Sequence, residues 1–88
     1  MGIQEDISWL NADADHRSTF MLIAKRGTVR IRDLKEELHE DDWWPVKYLV
    51  GNLVSRGLVS ESSGRYSLTE AGQNVYESIK TVREFGAV

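Results

Sequence analysis

The sequence predicts an α+β fold, mainly helical, in which a three-helix core carries a two-stranded β-hairpin and a C-terminal helix. Three observations predict it. Apolar residues recur at helical spacing from Ile3 to Gly27 and again from Ile31 to Gly57. Between Gly57 and Thr69 the period changes to short β-prone segments around Ser62-Ser63-Gly64. After Thr69 the helical period returns, with Ala71, Val75, Ile79 and Val82 on one stripe.

Taken in order, residues 1–14 form an N-terminal extension in which Ile3, Ile7 and Leu10 have helical spacing with Trp9 beside them, enough for a short helix. The stretch Asn11 to Asp15 is rich in short polar side chains that cap helix N-termini, so the first long helix opens there. It runs to about Arg26, turns Phe20, Ile23 and Ala24 inward, and stops at Gly27. Thr28-Val29-Arg30 is β-prone and makes one small strand. A second helix follows with Ile31, Leu34 and Leu38 inward, Asp33 near its start and Lys35, Glu36 and Glu37 on the wet face. His39 to Asp42 is a polar turn.

The third helix begins at Trp43-Trp44-Pro45 with Asp41 or Asp42 as its cap; proline fits there because first-turn N–H groups have no helical partner. Val46, Val50 and Leu53 form its buried stripe, Leu49 and Val54 the shoulders, and Gly57 its end. Leu58 to Glu61 and Arg65 to Leu68 are the hairpin strands, which completes a core of residues 15–68. In the last segment, 69–88, Thr69 caps a helix running from Glu70 to about Phe85.

Composition narrows the function. The chain is 41% hydrophobic and 28% charged, as an ordinary globular domain is, and 88 residues make a single domain. It has no cysteine, which removes disulfides, thiolate metal sites and thiol nucleophiles. His16 and His39 are its two histidines, and no glycine-rich phosphate loop is present, so no enzyme is expected. Consecutive residues such as His39 to Asp42 rarely converge on one ion, so neither metal nor cofactor is expected, and no small-molecule ligand is evident. No apolar run approaches the roughly 20 residues that span a bilayer, and no secretory signal opens the chain, which gives a cytoplasmic expectation. A net charge of −3 runs against nucleic-acid binding unless one face is locally basic.

The segments Leu53 to Val59 and Arg65 to Gly72 carry a resemblance. Gly57-Leu58-Val59 after an apolar helix, then Tyr66-Ser67-Leu68-Thr69 with Gly72, resembles the signature of winged helix-turn-helix regulators of prokaryotes and archaea. The opening Trp9 to Arg17 is similar, more narrowly, to small archaeal regulators related to a haloarchaeal phage repressor. The broad resemblance covers about Asp15 to Val82 and implies a repressor-like transcriptional regulator that binds duplex DNA. It places the recognition face on the third helix at Trp44, Lys47, Tyr48, Gly51, Asn52 and Ser55, off the buried stripe. It gives Arg65 to the wing, while Arg30 and Arg32 are placed to hold phosphates.

The chain departs from that signature between Leu38 and Val46, where the turn is about one residue longer and acidic. Trp43 and Trp44 are adjacent and cannot share one side of a helix, so one fills the core and the other is exposed. The stripe Ala71, Val75, Ile79 and Val82 suggests a homodimer packed through the last helix. The alternative is a winged-helix module that binds protein through the acidic turn and the tryptophans. A positive stripe across Lys47, Arg56, Arg65 and Arg30 would favour DNA.

Overall fold

The computed structural model describes residues 2–39 and 41–86, without the side chains of Trp43 and residues 82–86. Along the described chain run α1 (Ile3–Asn11), α2 (Ala14–Arg26), β1 (Thr28–Val29), α3 (Ile31–Leu38), α4 (Trp43–Ser55), β2 (Val59–Ser62), β3 (Arg65–Leu68) and α5 (Glu70–Gly86). This is a small α+β architecture, mainly helical, as expected.

Local signals fix most helix ends. Asp13 caps α2, its carboxylate accepting from the N–H groups of Asp15 at 2.9 Å and His16 at 3.4 Å. At α3 the Asp33 carboxylate reaches back to the Arg30 N–H at 3.0 Å, satisfying a donor that the helix itself leaves orphaned. The helix ends on His39 in the left-handed region, φ 57°. Asp42 does occupy the position before α4, but its side chain makes no capping hydrogen bond, contrary to the expectation that an aspartate caps this helix. Pro45 helps there, since it removes one of the first-turn N–H groups that would otherwise lack a partner.

Leu10, Phe20, Ile23, Val29, Leu34, Val46, Val50, Leu53, Leu58, Val59, Val75 and Ile79 form one buried cluster drawn from every helix and from the sheet. Val46, Val50 and Leu53 are the expected inner stripe of α4, with Leu49 half-buried beside them and Val54 at the surface. Because Leu10 is fully buried and Ile7 and Trp9 pack against the cluster, α1 is part of this core. Burying a side chain of that size contributes roughly 1.5–3 kcal/mol.

The sheet is antiparallel in the order β1-β3-β2. Ser63 and Gly64 link β2 to β3 with φ of 53° and 79°, the two positive angles a tight type I′ hairpin turn needs. β1 adds a third strand on the other side of β3, pairing Thr28 with Ser67 and Val29 with Tyr66.

One small cluster joins α4, the hairpin and α5. The Thr69 hydroxyl donates to the Gly57 carbonyl at 2.6 Å and accepts from the Gly72 N–H at 3.0 Å, while the Thr69 N–H donates to the Leu58 carbonyl at 3.0 Å. Gly72 lies against that same Leu58 oxygen so closely that a Cβ would overlap it. Backbone on one side and helix on the other leave no flexible group to yield. Gly72→Ala should therefore destabilise the fold by about 1–3 kcal/mol, as overpacking does, and Thr69→Val by about 1 kcal/mol through the lost cap. Urea denaturation of both variants checks this; a Gly72→Ala midpoint equal to the parent's would contradict the close approach.

Candidate nucleic-acid interface

The inward stripe of α4 decides what its outer face presents. With Val46, Val50 and Leu53 committed to the core, Trp44, Lys47, Tyr48, Gly51 and Ser55 are exposed on the opposite side. Trp44 and Tyr48, one turn apart, are 65% and 57% exposed, so the tryptophan of this pair expected at the surface is Trp44. The other half of that expectation, Trp43, lies outside the described side chains.

Gly51 sits in the interior of the helix with nothing within 4 Å of the position its Cβ would occupy. Asn52 is different from its neighbours: it is half-buried and bonded inward to His16.

Two of the expected arginines flank the last β1–β3 pair. Val29 pairs with Tyr66, and Arg30 and Arg65 are the next residues on the two segments. Both are exposed, and neither guanidinium makes an ion pair among the described residues. Arg32, two residues into α3, is exposed as well.

Arg56 does not join a positive stripe. Its Nε lies 3.1 Å from an Asp6 carboxylate oxygen, its guanidinium reaches the Glu5 carbonyl at 3.5 Å, and the same group lies 5.0 Å from the Trp9 ring centre. The arginine at the end of α4 thus docks α1, and its charge is neutralised in place. Of the four residues whose positive stripe would favour DNA, Arg56 is therefore engaged by α1.

Beside this lock, the Trp9 and His16 ring centres are 4.8 Å apart with the planes tilted by 44°, and His16 lies 6.4 Å from Tyr48. The His16 Nδ1 is 3.1 Å from an Asp13 carboxylate oxygen, and its Nε2 is 3.0 Å from the Asn52 amide nitrogen. Trp9, His16, Tyr48, Asn52, Ser55 and Arg56 line a shallow, open depression of about 500 Å³ on the flank of α4.

Of the stripe expected to pair two subunits, Val75 and Ile79 are buried in the chain's own core, where α1 packs against α5. Ala71 is exposed, and Val82 lies outside the described side chains. Among the described residues, no cluster of three His, Cys, Asp or Glu side chains could hold a metal, and no helix is long and apolar enough to cross a membrane.

The sequence reading missed Asp6, Trp9, Asp13 and His16 as partners of α4. Asp6 and Trp9 are three apart on one helix face, a hint that a polar and an aromatic group act together, but Arg56 stands 50 positions away. No protein-family model, curated protein or solved structure matches the chain.

Asp13 gives a pH signature. The Asp15 N–H foremost, then the N–H and imidazole of His16, hold its carboxyl below the usual carboxylate range, although burial opposes them. A lowered folded-state pKa contributes stability that is full above the unfolded value near 3.9 and disappears as pH falls through the folded value. Asp13→Asn should therefore lower Tm at neutral pH, and the gap to the parent should close as pH falls below the ordinary carboxylate range. Thermal melts across that range check it; a gap independent of pH would contradict it.

Proposed function

We propose that the chain is a winged helix-turn-helix regulator, repressor-like, that binds duplex DNA with sequence preference through the outer face of α4. In this reading α3 and α4 are the two helices of the helix-turn-helix, and the β2–β3 hairpin is the wing. The observation that carries it is Gly51. A glycine inside a helix costs about 0.5–1 kcal/mol relative to alanine, and here no neighbouring element among the described residues needs the space. A surface approaching α4 closely does need it. The major groove, about 12 Å wide, admits a helix and offers base edges to Lys47, Tyr48, Asn52 and Ser55.

Arg30 and Arg65, each next to the Val29–Tyr66 pair, suit phosphates of the same duplex, as does Arg32. With Arg56 engaged by α1 and a net charge of −3, binding relies on few phosphates. A regulator of this kind works in the cytoplasm, as a homodimer on two half-sites one or more helical turns apart. Because Val75 and Ile79 are covered within each chain, the pairing through α5 falls to its exposed side, Ala71 included.

A protein-binding module is the second reading, favoured by one observation: Trp44 and Tyr48 are exposed together, next to Asp41 and Asp42 at the start of α4. Exposed aromatic residues are enriched at protein interfaces.

Three expected outcomes separate the readings. Gly51→Ala should raise stability by about 0.5–1 kcal/mol yet weaken duplex binding at least tenfold, measured by melting and by fluorescence anisotropy. Lys47→Ala combined with Arg65→Ala should weaken binding to every duplex with little change in Tm. The four cations Lys47, Arg30, Arg32 and Arg65 limit the slope of log K against log salt to roughly −3.6. Absence of duplex binding at low salt, or binding that survives the double substitution, would overturn the DNA reading in favour of a protein partner.

A further inference from the structure

Asn52 lies on the proposed reading helix, yet part of its amide is already engaged from behind. Asp13 accepts, through its carboxylate, from His16, and His16 faces Asn52 with its other ring nitrogen; the two distances are 3.1 Å and 3.0 Å. Donor–acceptor logic orders this relay. A carboxylate only accepts, so Nδ1 of His16 carries a proton. In a neutral imidazole the second nitrogen is then an acceptor, so the atom opposite Nε2 must donate. That atom is Nδ2 of Asn52, which turns Oδ1 away from His16 and leaves the oxygen and one N–H for a ligand.

We propose that His16 is a positioning residue that fixes the Asn52 amide so that Asn52 selects a base presenting an exocyclic amine in the major groove, adenine foremost. The inference rests on the DNA reading of α4. His16 is 7% exposed and does not itself touch DNA; its role passes through Asn52. Adenine offers an N6 amine beside the N7 acceptor, which matches an oxygen and one N–H on the same amide. A free asparagine turns its amide either way and reads less selectively.

The groups facing His16 are Asp13 from the segment before α2, the Trp9 ring from α1, and Tyr48 and Asn52 from α4. Asp15 follows Asp13 in the first turn of α2, and the Asp6–Arg56 pair stands beyond Trp9. Among the described residues, Asp13 alone is within ion-pair distance of the ring.

The test uses the full chain in two arms. Nitrogen-15 NMR of the free protein should show His16 protonated at Nδ1, with its Nε2 coupled to an Asn52 side-chain proton. Selection from randomised duplexes should enrich adenine roughly tenfold at one position. Asn52→Ala should abolish the preference at that position while other positions keep theirs, and His16→Phe, which keeps a ring but removes both nitrogens, should weaken it at the same position alone. A proton on Nε2 with none on Nδ1, or an adenine preference that His16→Phe leaves unchanged, would overturn the proposal. If no duplex binds, the DNA reading fails and base selection with it, while the ring tautomer, read without DNA, decides the Asp13–His16–Asn52 relay separately.

Discussion

The fold depends on the close approach of α5 to the backbone that leaves α4. At that crossing the Leu58 carbonyl accepts from Thr69 N–H with Gly72 pressed against it, and the Thr69 hydroxyl bridges the Gly57 carbonyl and the Gly72 N–H. Three elements are tied by backbone atoms, where side-chain repacking gives little slack. The hairpin must leave α4 in one direction and return as β3 at the foot of α5. β3 then pairs with β1, and Arg30 and Arg65 follow directly on the last pair, Val29 with Tyr66. The inner stripe of α4, held against α2 and α3, leaves its other side uncovered. The position of the exposed face and that of the two arginines therefore follow from one junction.

α1 adds a second constraint, and its effect is electrostatic as much as mechanical. Asp6 and Trp9 hold Arg56, the last residue of the α4 turn, by an ion pair and a cation–π contact. This removes a basic group from the end of the candidate face in a chain that is already net negative. In the proposed DNA reading, recognition then relies on shape, aromatic surface and hydrogen bonding more than on charge. Such a surface discriminates more by fit than by long-range attraction.

Much of this was legible in the sequence, for physical reasons that are local. Gly27, Gly57, Thr69 and the changes of apolar period mark where elements start and stop, because caps and periodicity are properties of neighbouring residues. The inner stripe of α4 and its exposed remainder follow from the same period. Pairings across long separations were not legible: Asp6 with Arg56, His16 with Asn52, and β1 with β3. Nor does periodicity say what covers a stripe, which is why Val75 and Ile79 read as a dimer surface although α1 packs on α5. Asp42 has the right residue type for a cap but makes no capping hydrogen bond. The glycines make the contrast plainest. Gly51 and Gly72 look alike in sequence; only their neighbours show that the fold needs one and leaves the other open.

The claim at the centre of this account is that the open face of α4 and the Arg30–Arg65 corner form a single surface for duplex DNA. Titrating an isotope-labelled sample with a short duplex and following backbone amide shifts tests it most directly. The account predicts that the largest shifts fall on Lys47, Tyr48, Gly51, Asn52, Ser55, Arg30 and Arg65, while Val75 and Ile79 stay unchanged. Shifts concentrated on α1 and α5, or none at saturating duplex, would contradict it.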